Sequence, residues 1–132
     1  MVLKAELARA MFAHALAEQP NEACGILAGS GGEPVYFYPA ANAEHSPTRY
    51  VVEPQDQLRI QRELDASDWD LLGIFHSHTH TQAYPSSTDI QLASNWPDQI
   101  YLIASLMNPE PQLRAFRIVD GQVSEEEIDF WD

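Results

Sequence analysis

The run Leu71-Leu72-Gly73-Ile74-Phe75 carries no polar side chain and leads at once into His76-Ser77-His78. An apolar run without alternation describes a central strand covered on both faces, so the chain needs layers above and below a sheet. The flanking segments supply them. Leu3, Leu7, Ala10, Met11, Ala15 and Leu16 recur every three or four residues, the stripe of an amphipathic helix that Pro20 and Asn21 stop. Glu53-Pro54 opens a second helix through Leu58, Ile60 and Leu64 to about Ala66, and residues 87–95 form a short third helix behind a serine cap. Residues 24–28 and 34–38 read as a hairpin whose turn is made by Gly29-Ser30-Gly31-Gly32. Arg49-Tyr50-Val51-Val52 has the β-branched and aromatic composition of a strand. Residues 100–107, 113–119 and 123–128 read as three more, separated by Asn108-Pro109 and Asp120-Gly121 turns. The expectation is an α/β fold made as one domain over residues 1–132, with no repeat and no linker.

Charge and cysteine content narrow what such a domain does. Twenty Asp and Glu against seven Lys and Arg give a net charge of −13. A surface so acidic repels phosphate backbones and anionic headgroups, which excludes nucleic acid and membrane surfaces as partners. Apolar residues make up 45% of the chain, enough for a real core, so disorder is excluded despite the charge. Cys24 is the single cysteine; no internal disulfide is possible, and an intracellular, cytoplasmic setting is expected. Lys4, Glu6, Arg9 and His14 interrupt the N-terminal apolar stretch, so it is read as part of the fold and not as an export signal.

The chemistry is concentrated after the apolar strand. His76 and His78 are two residues apart and therefore point to one side of it, where both can grip one ion. Asp89, eleven residues after His78 and in the first turn of the third helix, can fold back to complete a set of two histidines and a carboxylate. Three such ligands suit a zinc that keeps a position open for water, although iron or manganese accepts the same set. His80 continues the spacing and offers a three-histidine alternative, but the polar run from Thr79 should end the strand first and leave His80 at a rim. Glu22, just before the apolar run that starts at Cys24, is the candidate general base. Ser86 is a candidate oxyanion donor. Ser86 and Asp89 also have the spacing of an ordinary capping box, and both readings can hold together. Cys24 is followed by apolar neighbours and reads as an inert thiol, while His14 and His45 read as structural or solvent-facing.

His76-Ser77-His78, seven residues, Ser86, two residues and Asp89, with Glu22 upstream in Asn21-Glu22-Ala23-Cys24-Gly25-Ile26-Leu27-Ala28-Gly29, resembles the signature of the JAMM (MPN+) metalloprotease family. The likeness extends to Arg49-Tyr50, to Glu53-Pro54 and to the length of the chain. It implies a three-layer αβα sandwich around a mixed sheet, related to cytidine deaminases. It also implies Zn2+ on His76, His78 and Asp89, Glu22 as general base and Ser86 as stabiliser of the oxyanion. The implied activity is hydrolysis after the C-terminal Gly-Gly of a ubiquitin-like or sulfur-carrier protein of the small β-grasp kind. In short bacterial members this resembles the release of cysteine from a carrier. One position departs from the family pattern: Thr79 stands where proline is usual.

Two other functions compete with this reading. Related MPN domains that have lost metal ligands act as non-catalytic scaffolds, but every ligand position is filled here. A nucleotide deaminase of similar fold needs His-x-Glu with Pro-Cys-x-x-Cys, and a chain with one cysteine does not supply it.

Overall fold

The computed structural model of the protein describes residues 1–96 and 98–132. Among them the elements run β1 (Val2–Lys4), α1 (Ala5–Glu18), β2 (Cys24–Ser30), β3 (Glu33–Ala40), α2 (Pro54–Ser67), β4 (Asp70–His78) and α3 (Ser87–Leu92). A 3-10 turn over Ala93–Asn95, then β5 (Ile100–Ser105), β6 (Gln112–Val119), β7 (Gln122–Glu126) and β8 (Asp129–Trp131) complete the chain. None of the described helices is long and apolar enough to cross a membrane.

Six strands form one mixed sheet in the order β3-β2-β4-β5-β6-β7. Only β4 and β5 run parallel, because α3 carries the chain back between them; the other neighbours are antiparallel. The apolar run is therefore interior, as its composition requires, and Gly73 has a packing role there. A Cβ at Gly73 would stand 2.8 Å from the carbonyl oxygen of Ile100 on β5.

Alternation along β4 assigns its side chains to two layers. Phe75 packs with Leu7, Met11 and Ala15 of α1. Ile74 joins Ile60 and Leu64 of α2 and Ala93 beyond α3 on the other face. Ile60 and Leu64 are fully buried, each stabilising the fold by about 1.5–3 kcal/mol. The result is the expected three-layer αβα sandwich. By the same alternation His76 and His78 follow Ile74 to the α2/α3 face.

The turns follow local chemistry. Gly31 and Gly32 both have positive φ, 59° and 84°, and alone join β2 to β3, so Gly29 and Ser30 belong to the strand. Asp120 and Gly121, at 51° and 77°, make the β6–β7 hairpin as predicted. Glu53 caps α2 by accepting from the Asp56 N–H at 2.9 Å.

Three expectations change. The N-terminal helix starts only at Ala5, because Val2–Lys4 pairs in parallel with Asp129–Trp131 in a separate two-stranded sheet. Leu3 reaches the core from that strand, while Ala10 and Leu16 lie on the solvent side of α1. Residues 49–52 are not a strand; Val52 makes one isolated bridge to Asn42. The reason lies in Asn42, whose side chain takes up the Arg49 carbonyl and the Val51 N–H that a neighbouring strand would otherwise satisfy. Trp131 packs at the β1–β8 edge, half exposed beneath the Lys4 ammonium.

Candidate metal centre

The site forms where β4 ends. His78 is the last residue of β4, and the Leu106 N–H beyond β5 takes its carbonyl at 3.0 Å. After seven intervening residues Ser86 caps α3, which starts at Ser87. Ser86 Oγ accepts from the Asp89 N–H at 3.1 Å, and Asp89 Oδ2 accepts from the Ser86 N–H at 2.9 Å. This reciprocal box fixes the Asp89 rotamer and aims its carboxylate back at β4.

Asp89 Oδ2 stands 3.1 Å from His76 Nε2 and 3.0 Å from His78 Nε2, and the two nitrogens are 3.1 Å apart. All three side chains are buried. Ligands about 2.0–2.1 Å from a tetrahedral ion stand roughly 3.3 Å from one another, so this near-equilateral triangle has the size of one face of such a site. Among the described residues, no other group of three or more His, Cys, Asp and Glu side chains converges in this way.

Hydrogen bonding makes the same point. His78 Nδ1 donates to the Gln82 carbonyl at 2.8 Å, a group that only accepts. In the neutral ring Nε2 then carries a lone pair, yet it faces a carboxylate oxygen at 3.0 Å. Two lone pairs at that distance need a cation or a second proton between them. Three acceptor atoms converging on one point are compatible with a metal site.

The charges are arranged accordingly. Burial lowers the His76 pKa, which keeps it in the neutral form that binds metals. Burial alone would lower His78 as well, but its hydrogen bonds to Asp89 and Gln82 outweigh it and raise its pKa. Desolvation opposes ionisation of Asp89, and the adjacent His76 and His78 with the Ser86 N–H overcome it, holding this carboxyl far below the usual range.

Glu22 lies just before β2. Two paired bonds join the next residue to β4: the Ala23 N–H donates to Ser77 Oγ at 2.8 Å and the Ser77 N–H donates to the Ala23 carbonyl at 3.0 Å. Glu22 itself donates its N–H to the Ser46 carbonyl at 2.8 Å and receives Asn42 Nδ2 on its own carbonyl at 3.0 Å. With its main chain held this way, Glu22 is 4% exposed and its buried Oε1 has no hydrogen-bond partner. Burial pushes its pKa up to about 8, against the attraction of His78 and with the repulsion of Asp89, both close enough to act on it.

The structure thus brings His76, His78, Asp89, Ser86 and Glu22 to one place, while His80 is exposed beyond the end of β4. Cys24 is buried, and burial pushes its thiol up to about 12, which removes its nucleophilic form. His14 Nε2 lies 2.9 Å from the Cys24 carbonyl and 3.1 Å from that of Ala40, a structural tie between α1 and the sheet.

Sequence reasoning missed two residues that build the site. Tyr50 stacks on the His76 ring with centroids 4.4 Å apart and planes 18° from parallel. Asn42 organises the loop that carries it. The sequence signals for Tyr50 are its place in the Arg49-Tyr50 pair, to which the family likeness extends, and in a run with strand composition, neither of which points to a contact with His76; Asn42 gives none.

A six-stranded mixed sheet between helical layers, with two histidines and a carboxylate at the end of a parallel strand, defines an α/β sandwich with a metal-compatible centre. The chain belongs to the prokaryotic homologs of the JAB domain, whose family model matches residues 4–119. It is 45% identical over 131 residues to a CysO-cysteine peptidase of Mycobacterium tuberculosis, which covers 97% of this chain and 89% of that protein. It is 33% identical over 111 residues to a probable TtuB-protein conjugate cleaving protease of Thermus thermophilus, covering 83% and 70% of the two chains. In three dimensions it matches the solution structure of a protein from Desulfitobacterium hafniense with a TM-score of 0.90 at 37% identity, over 100% of this chain and 94% of that one.

Proposed function

We propose that this protein is a zinc-dependent peptidase of the JAMM type, acting in the cytoplasm. It hydrolyses the peptide or isopeptide bond after the C-terminal Gly-Gly of a ubiquitin-like or sulfur-carrier protein, with cysteine as a leaving group. The observation that carries this reading is the convergence of His76, His78 and Asp89 within 3.1 Å, beside a buried Glu22 with an unpartnered oxygen. The names of the relatives, peptidases and conjugate-cleaving proteases, support the reaction class.

His76, His78 and Asp89 would hold the ion. When bound, zinc supplies a Lewis acid that polarises the scissile carbonyl and lowers the pKa of a coordinated water. Glu22 takes the proton of the attacking water on its free Oε1 and passes it to the leaving nitrogen. Ser86 Oγ spends a lone pair on the Asp89 N–H, which leaves its O–H to donate to the oxyanion.

Metal content and cleavage test the proposal together. Protein loaded with one equivalent of zinc should cut a carrier–cysteine adduct and stop when a chelator removes the metal. Loss of uptake in His76→Ala, His78→Ala and Asp89→Ala is expected, and full uptake by all three would sink the ligand assignment.

A further inference from the structure

Metal-bound histidines ordinarily have their second ring nitrogen held by a carbonyl, a carboxylate or water, which fixes the ring plane. His78 follows that rule through Gln82. His76 does not: its Nδ1 is buried and has no partner. Something else must keep this ring from turning about its Cβ–Cγ bond.

We propose that Tyr50 is the positioning residue for His76, doing with a ring face what a hydrogen bond does for His78. The phenol lies over the imidazole at 4.4 Å and 18°, a stacked pair in which rotation of either ring would drive its edge into the other. Tyr50 is 6% exposed and belongs to the buried cluster that includes Cys24, Ile74 and Ile60, and it also lines a cavity of about 250 Å³ with Val52, Gln57 and Trp96. Its backbone is held firmly. Asn42, buried at the root of the loop, uses both amide protons and both carbonyl lone pairs. It donates to the Glu22 carbonyl at 3.0 Å and to the Arg49 carbonyl at 2.9 Å, and it accepts from the Glu44 and Val51 N–H groups at 3.0 and 3.1 Å. Two of these bonds flank Tyr50 directly, and a third reaches Glu22. One side chain thus ties the residue that orients a metal ligand to the main chain of the candidate base. Tyr50 acts through His76 and touches no substrate atom in this role.

The proposal rests on the metal reading, and the test separates the two. Zinc alone is titrated against a chromophoric chelator with wild type, Tyr50→Phe and Tyr50→Leu, the last keeping apolar bulk without a flat face. Tyr50→Phe should bind within about twofold of wild type. Tyr50→Leu should bind about tenfold more weakly, the lower end of the losses typical when the support of a metal ligand is removed. The visible spectrum of the cobalt-substituted protein should change in Tyr50→Leu and be restored in Tyr50→Phe. Equal affinity of Tyr50→Leu and wild type overturns the proposal, as does equal weakening by Phe and Leu, which would place the effect in the hydroxyl. A measurement on wild type alone covers a Leu variant that does not fold. In the zinc-loaded protein, ring-current shielding by Tyr50 should place the His76 ring protons upfield of those of His78, and ordinary shifts for His76 contradict the stacked role. Wild type that takes up no zinc overturns the metal reading itself.

Discussion

Ala23 and Ser77 are joined twice, by the Ala23 N–H to Ser77 Oγ at 2.8 Å and by the Ser77 N–H to the Ala23 carbonyl at 3.0 Å. The serine between His76 and His78 thus fixes the residue after Glu22, and so sets the candidate base against the candidate metal centre. Ser77→Ala leaves the Ala23 N–H buried without its partner, at a cost of about 1–3 kcal/mol. The expected outcome is a lower melting temperature and a fall in kcat with zinc affinity little changed. An equal loss of zinc affinity would show that Ser77 supports the ligands instead.

Glu22 should make the metal-free protein less stable as pH rises. Its carboxyl is raised from 4.5 to about 8 in the folded state. Below pH 4.5 it is protonated folded or unfolded. Between 4.5 and about 8 the unfolded chain releases the proton and the folded one keeps it, so stability is lost across that window. Glu22→Gln removes this dependence. Melting temperatures of metal-free wild type and Glu22→Gln, compared from pH 4 to 8, should diverge in favour of the variant at the alkaline end; parallel curves would contradict the buried, raised carboxyl.

Zinc uptake should release a proton. His78 has a pKa raised above 6.5 by Asp89 and Gln82, despite the opposing effect of burial. Below that raised pKa its Nε2 therefore holds the proton that the metal must displace. Affinity should fall about tenfold per pH unit below that raised pKa, and calorimetry in buffers of different ionisation enthalpy should find about one proton released near pH 6. A pH-independent affinity would place the ion elsewhere.

Cys24 should be silent. With its thiol pushed up to about 12 by burial, native protein at pH 8 should resist iodoacetamide, and the unfolded chain should react fully. Cys24→Ala should retain activity. Rapid labelling of the native protein, or loss of activity on labelling, would reopen a thiol mechanism.

What could be read from the chain alone was whatever local pattern dictates. The unbroken run Leu71–Phe75 announced a strand covered on both faces, and the period of two put His76 and His78 on one side of it. Ser86 and Asp89 announced a helix start, and the capping box that seemed to compete with metal binding is the device that aims the carboxylate. What escaped were pairings set by distant chain. Val2–Lys4 looked helical because Leu3 fits the stripe, and only its pairing with Asp129–Trp131, at the far end of the sequence, makes it a strand. Residues 49–52 looked like a strand because of their side chains, yet a single asparagine satisfies their backbone. The stacking of Tyr50 on His76 joins residues 26 positions apart on different elements, and no local spacing encodes it.

Mass spectrometry of carrier adducts tests the proposed chemistry most directly. A sulfur carrier or ubiquitin-like protein bearing cysteine or a lysine-linked peptide after its Gly-Gly terminus is incubated with zinc-loaded wild type and with zinc-loaded Glu22→Gln. Wild type should return the carrier at the mass of its free Gly-Gly carboxylate. The variant, still holding zinc, should be slower by about 10²–10⁴, the usual contribution of a general base. Adducts left whole by metal-loaded wild type, or cut equally fast by the variant, would contradict the proposed reaction.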